Sequence, residues 1–310
     1  MYPVLFTIFG KDIPTYGMCI ALGLVLCALT LFLLIRRKGM PDKIFDDYLF
    51  AAMIAIVAGF GSAAVFQAFY NWQATGSFYF SGITFMGGMI GGIAIFVLYF
   101  FIFFKDKKTK QAFWDVADMA AACIFIAHSI GRLGCFFGGC CYGKEAHGSI
   151  WGVDFPNIGY RYPTQLFEAA FLFVMFFITF VYAEKCKKRG YGIGIWAITY
   201  GIFRFFIEYL RDDYRGGIEG AALSPSQVQS IIFVVAGLAY FAIVFFLQKK
   251  GWIAESIDWT DELKAQAELK ALKAEIKRQK RAEALGGENK TQTQETPSAS
   301  PDTSDGEHDK

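Results

Sequence analysis

Residues 191–210 read YGIGIWAITYGIFRFFIEYL, with two charges, Arg204 and Glu208, in a run that is otherwise uncharged. At 1.5 Å per residue, a helix of this length covers about 30 Å, the thickness of a bilayer's hydrocarbon core. A charge inside such a span is costly and marks a functional position by default. Tyr200, Arg204 and Glu208 are four residues apart, so on a helix they climb one face with about 40° of drift per step. Arg204 lies about 20 Å along the axis from Tyr191, in the outer part of the bilayer and within reach of lipid head groups. The plainer reading is an internal Arg204–Glu208 ion pair that binds nothing.

This run is one of seven. Apolar stretches of similar length cover roughly 14–35, 48–70, 83–104, 112–130, 163–183, 191–210 and 226–247. Of 310 residues, 55% are hydrophobic and 34 are Phe, more large apolar side chains than the interior of a soluble domain this size can hold. The fold class is therefore all-α: a polytopic membrane protein with seven transmembrane helices. The net charge of +2 says little, and no nucleic acid partner is expected; the placement of charge says more. Basic residues gather as RRK at 36–38, KDKKTK at 105–110, KCKKR at 185–189 and KK at 249–250, while the alternate connections carry few. The positive-inside rule puts those clusters in the cytoplasm, the N-terminus outside and the C-terminus in the cytoplasm. MYPVLFTIFGKD at the start lacks the basic region and cleavage site of a removable signal peptide. The expected division is a seven-span transmembrane domain over 1–250, a charged cytoplasmic helix within 251–285, and a disordered tail over 286–310. In the helix, Thr260 serves as cap and Gly286-Gly287 as the stop.

Other polar groups also lie inside or at the mouths of these spans. HSIGRLGCFFGGCCYG, residues 128–143, holds five glycines, three cysteines, His128 and Arg132. Gly131, Gly134, Gly138, Gly139 and Gly143 can take positive φ and approach a ligand closely. Arg132 offers a planar fork suited to phosphate, and with Arg204 it could clamp one anionic lipid head group. Gln165 and Glu168 share a face of the fifth span; helix-to-helix hydrogen bonding is their plainer use. Gly87/Gly91 and Gly88/Gly92 form overlapping GxxxG pairs, read more simply as close helix packing than as a ligand cradle. Asp118 and Gln67 are isolated polar positions. For Cys135, Cys140 and Cys141 three uses stay open: structural thiols or a disulfide, lining of a substrate site, and a metal or redox site. The C-x4-C-C spacing is not a familiar zinc pattern.

Taken together these residues resemble the bacterial prolipoprotein diacylglyceryl transferase family over about 10–248. GRLGCFFGGCCYG keeps Gly131, Arg132, Gly134, Phe136 and Gly143 of that family's signature loop. YPTQLFE at 162–168, YGIFRFFIEYLR at 200–211, TYGM around Tyr16, VAD ending at Asp118 and LSPSQ at 223–227 also fit. The resemblance implies a multi-pass enzyme of the bacterial cytoplasmic membrane, acting as a monomer. It would move the diacylglyceryl group of phosphatidylglycerol onto the cysteine thiol of a prolipoprotein signal peptide and release glycerol phosphate. Arg132 and Arg204 would stabilise the leaving phosphate, Glu208 would fix Arg204, and Tyr16 and Tyr200 would orient head group or thiol. Gly131, Gly134, Gly143, Gly87, Gly88 and Gln165 would line the phosphatidylglycerol site, and no cofactor or metal is needed. The chain departs from the pattern at Met86, where the family carries histidine. It also departs at Cys135, Gly138 and Cys140, which replace Asn, Asn and Glu, and at Ala63, which replaces arginine. His128, one turn before Arg132, is then the expected base. The alternative is a divergent paralogue that binds an anionic phospholipid but uses another acceptor or none.

Overall fold

Among the described residues, seven helices long and apolar enough to cross a membrane stand where the hydropathy runs require them. The structure is a computed structural model and describes residues 4–8, 10–82, 84–212, 223–254 and 257–292. In chain order the seven are α1 (Thr15–Arg37), α2 (Asp42–Thr75), α3 (Phe85–Phe103), α4 (Lys107–Phe137), α5 (Thr164–Lys185), α6 (Gly192–Ile207) and α7 (Pro225–Lys249). A single 3-10 turn, Glu208–Leu210, extends α6. Large apolar side chains such as Val57, Phe101, Ile178 and Val235 remain exposed around the bundle. That suits a surface whose solvent is lipid. The protein is a polytopic membrane protein.

Local chemistry explains where the helices begin. Asp106 caps α4, accepting from the backbone N–H groups of Lys108 and Thr109 at 3.3 and 3.1 Å. Burial alone would raise the Asp106 carboxyl, but these bonds and the Thr109 hydroxyl hold it below the usual carboxylate range. Ser224 opens α7 with a reciprocal capping box to Gln227, and Pro225 occupies the first turn, where no N–H is missed.

Small residues let the helices approach. α1 lies antiparallel on α4, and a Cβ added to Gly23 would meet the Ala127 carbonyl oxygen at 3.1 Å. On the α2–α3 pair a Cβ at Gly91 would collide with the Ser62 side chain, and on α6–α7 one at Gly201 would stand 2.8 Å from the Ser230 oxygen. Without a hydrophobic drive between helices in lipid, such close packing is what holds them together.

The basic clusters gather at one end of the bundle. There Lys38 Nζ reaches Asp115 Oδ1 at 3.0 Å, Arg189 pairs with the same carboxylate, and Arg37 meets Glu184 at 3.1 Å. Asp118 is buried beside them. Its two oxygens accept from the backbone N–H groups of Gly190 and Gly192 at 2.7 and 2.6 Å, fastening the start of α6 to α4. Gly190 turns at φ 93, and a Cβ on Gly192 would lie 2.5 Å from the Asp118 Cα, so both positions require glycine.

Three features differ from expectation. α4 runs on through GRLG to Phe137, because Gly134 packs directly on Cys19 and the contact outweighs glycine's low helix propensity. Among the described residues two short hairpins form, one before α1 and one between α4 and α5: β1 (Val4–Ile8) pairs with β2 (Lys11–Pro14), and β3 (Val153–Phe155) with β4 (Gly159–Arg161). The chain divides into two compact units, Met1–Asp258 and Trp259–Lys310. In the second, α8 (Thr260–Gln292) continues through Gly286-Gly287, where the stop was expected. Glu, Lys and Gln follow the glycines and no proline intervenes. Residues 293–310, most of the expected disordered tail, lie outside the described residues.

Candidate active site

At the end of the bundle opposite the basic clusters, Glu168 on α5 is fully buried. Its Oε1 pairs with Arg132 Nη2 at 2.9 Å and accepts from the Tyr200 hydroxyl at 3.0 Å, and His128 Nε2 stands 3.6 Å away. One oxygen thus gathers side chains from α4 and α6. The other, Oε2, is buried with no hydrogen-bond partner, as are Arg132 Nε and Gln165 Oε1. Buried polar atoms left in this state are rare in native proteins and each calls for a reason. The Tyr200 ring packs edge-on against His128 at 5.1 Å and joins an apolar cluster with Phe125, Leu172 and Met175, which fixes its hydroxyl.

A second node lies where α6 meets α7. Arg204 Nη1 contacts Glu208 Oε2 at 2.7 Å, and its Nη2 donates to the Ser226 hydroxyl at 3.1 Å. The Ser224 hydroxyl donates to the other Glu208 oxygen at 2.9 Å, and Arg211 Nε approaches the first at 3.9 Å. The expected tie between Glu208 and Arg204 is present. The two nodes adjoin: Tyr200, which bonds Glu168, stands one helical turn before Arg204 on α6.

The segment after α4 folds back over these nodes. Gly143 N–H bonds the Tyr162 carbonyl at 2.8 Å and pairs across with Arg211, while Lys144 N–H bonds the Leu210 carbonyl. Gln165 Nε2 donates to the Cys140 carbonyl at 2.6 Å, and the Thr164 hydroxyl to the Cys141 carbonyl at 3.0 Å. Of the five glycines expected to free this backbone, only Gly139 has positive φ, at 68°. Gly131 and Gly134 are helical and Gly138 ends the helix in ordinary αR geometry. Gly143 is required by packing, since a Cβ there would stand 2.5 Å from the Leu210 oxygen. Gly131 borders open space.

Not every sequence-selected residue joins the nodes. Tyr16 is 45% exposed in the first turn of α1, beside Gly134. Gly87 and Gly88 pack α3 on α2, against Phe66 and Gly59, and Met86 is exposed. An apolar groove of about 520 Å³ runs along that pair, lined by Ile56, Gly59, Ala63, Gly88, Gly92 and others. Two residues central to the geometry carry no assigned role in the sequence reading: Glu168, visible there as sharing a face with Gln165 and as the end of YPTQLFE, and Ser226, visible only within LSPSQ.

The family model described as prolipoprotein diacylglyceryl transferase matches residues 3–243. A phosphatidylglycerol–prolipoprotein diacylglyceryl transferase 2 from Clostridium perfringens is 32% identical over 254 residues, covering 77% of this chain and 94% of the relative. The Clostridium tetani transferase is 30% identical over 263 residues, with 78% and 98% covered. The Clostridioides difficile transferase is 32% identical over 246, with 76% and 92% covered. These matches take in both nodes, and the chain belongs to the prolipoprotein diacylglyceryl transferase family.

Proposed function

We propose that this protein is a phosphatidylglycerol–prolipoprotein diacylglyceryl transferase whose reaction takes place at the Glu168 node. The observation that carries the reading is the arginine–carboxylate node buried inside the membrane span, with Arg132 Nε and Glu168 Oε2 unmatched. A membrane-buried guanidinium with a spare donor is suited to the phosphodiester of a lipid head group. Open space at Gly131 adjoins it.

The reaction joins the acceptor's sulfur to the glyceryl carbon that carries the phosphoester. The carbon–oxygen bond breaks and the electron pair leaves on glycerol phosphate. Charge therefore grows on the phosphate, and donors already fixed in a dry site stabilise it most. Arg132 is held by Glu168, and Arg204 by Glu208 and Ser226, so neither must reorganise as the charge appears. Tyr200 orients Glu168; Tyr16 and the open surface at Gly131 border the head group, while Gly134 and Gly143 let the surrounding backbone pack closely enough to frame it. Gln165 fixes the connection above it. His128, the imidazole of the node, takes the thiol proton. The α2–α3 groove, with Gly87 and Gly88 at its packing seam, receives an acyl chain.

The basic clusters support a cytoplasmic position for the end at Asp118 and an outer position for the Glu168 end, with the N-terminus outside. The enzyme works as a monomer in the bacterial cytoplasmic membrane. The seven-span unit carries the chemistry, and 251–310 lies on the cytoplasmic side. The test supplies purified protein with labelled phosphatidylglycerol and a signal peptide bearing the acceptor cysteine. Label should appear on the thiol, and disappear with Arg132→Ala or a cysteine-free peptide. Folded protein that binds the lipid yet transfers nothing would point to the paralogue with a different acceptor.

A further inference from the structure

One cluster beside this site has no part in the reaction as written. The sulfur atoms of Cys135, Cys140 and Cys141 all lie within 4.8 Å of one another. Cys135 is buried on the last turn of α4, Cys141 is half-buried and Cys140 is exposed. Cys141 reaches this arrangement at φ 65, a left-handed conformation that costs a non-glycine residue about 1–3 kcal/mol. Three hydrogen bonds hold the turn in place. The Cys140 N–H donates to the Cys135 carbonyl at 3.1 Å, Gln165 donates to the Cys140 carbonyl, and Thr164 donates to the Cys141 carbonyl. A strained residue, pinned so that its thiol meets two others, is a built arrangement.

A disulfide would use two of the thiols and give no reason for the third to converge. A thiophilic metal ion uses all three. Thiolates around zinc, with Zn–S near 2.3 Å and tetrahedral angles, stand about 3.8 Å apart. Sulfurs within 4.8 Å of one another reach that spacing by small side-chain rotations. Among the described residues no His, Asp or Glu joins the three as a fourth ligand. Zinc sites with three protein ligands and one open position are the catalytic kind. Arg132 is one helical turn before Cys135, about 4.5 Å along the axis, so the open position neighbours the arginine proposed to hold phosphate.

We infer that Cys135, Cys140 and Cys141 hold a zinc ion whose open fourth position takes the acceptor cysteine's sulfur. The inference rests on the transfer reaction above and departs from the expectation that no metal is needed. A thiol that coordinates zinc is deprotonated outright. Its proton passes through water to His128. The sulfur lone pair then forms the bond to the glyceryl carbon, the carbon–oxygen bond breaks, and the pair departs on glycerol phosphate beside Arg132. Zinc is neither oxidised nor reduced, and it keeps its three protein thiolates.

The test begins with metal analysis of the full chain purified in detergent without chelator. About one zinc per chain is expected, falling at least tenfold in Cys140→Ser, the variant at the exposed position. Replacing zinc with cobalt(II) should give intense sulfur-to-metal absorption that shifts when the cysteine peptide is added, and does not shift with its serine counterpart. Transfer by Cys140→Ser should fall about 100-fold. Wild-type protein with all thiols reduced that binds neither zinc nor cobalt would overturn the inference. So would a disulfide found among the three, copper in place of zinc, or full transfer by metal-free protein. That last result would leave the transferase reading standing. Cobalt bands that respond to peptide, without transfer from phosphatidylglycerol, would uphold the metal site and sink the transferase reading instead.

Discussion

Asp118 and Glu168 are both carboxylates buried in membrane-spanning helices, 2% and 0% exposed, at opposite ends of one bundle. Asp118 spends both oxygens on backbone N–H groups of a single turn. Glu168 concentrates Arg132, Tyr200 and His128 on one oxygen and leaves the other bare. Burial and charge alone do not tell a staple from a site. The difference lies in satisfaction: a structural carboxylate closes its own hydrogen bonding, and a working one is left with capacity that a ligand can use.

The largest effect expected from this contrast is at Arg132. Arg132→Ala should lower transfer by about a thousandfold in an assay with labelled phosphatidylglycerol. It should also destabilise the fold by about 3–5 kcal/mol, because Glu168 is left charged and unpaired. Arg132→Lys keeps the charge but loses the fork, and should rescue stability more than turnover. Activity that survives Arg132→Ala in folded protein would erase the distinction between the two carboxylates.

Asp118→Asn comes next and reads the other way. Its amide nitrogen would face a backbone N–H, so stability should fall by about 2–3 kcal/mol in detergent unfolding. Turnover per folded molecule should not change. A loss of turnover like that of Arg132→Ala would mean that the Asp118 end takes part in the reaction. A smaller effect belongs to Tyr200→Phe, which removes one hydrogen bond to Glu168 and keeps the ring packing. Transfer should drop about tenfold, with at most about 1 kcal/mol of stability lost; unchanged transfer would show that Arg132 alone orients Glu168.

The two ends were not equally legible in the sequence. All seven spans could be read from runs of apolar residues, since lipid demands a continuous helix and allows little else. Arg204 and Glu208 were legible too, because their partnership is local, four residues along one helix. Glu168 was harder: its partners sit on α4 and α6, and only the packed bundle brings Arg132 and Tyr200 to it. The glycines of GRLG looked like a loop because propensity favours that reading, whereas Gly134 is small so that α1 can lie against α4. The three cysteines could be counted in sequence but not placed, since their convergence depends on the left-handed turn at Cys141.

A third carboxylate, Asp106, extends the comparison at its weakest end. It caps α4 from the Asp118 end and, like Asp118, is fully engaged, by Lys108 N–H, Thr109 N–H and the Thr109 hydroxyl at 3.3, 3.1 and 2.9 Å. Asp106→Ala should cost about 1 kcal/mol at neutral pH and leave transfer untouched. Its carboxyl is held below its ordinary value, so the stability it adds is present above the unfolded pKa of about 3.9 and is lost as pH falls through the folded value. The gap in unfolding midpoint between wild type and variant should therefore be constant from pH 7 to about pH 5 and close below about pH 4. A gap that persists in acid would show that the neutral carboxyl, or the side chain's packing, holds the helix start. Engagement by hydrogen bonds would then no longer mark the staple carboxylates of this bundle.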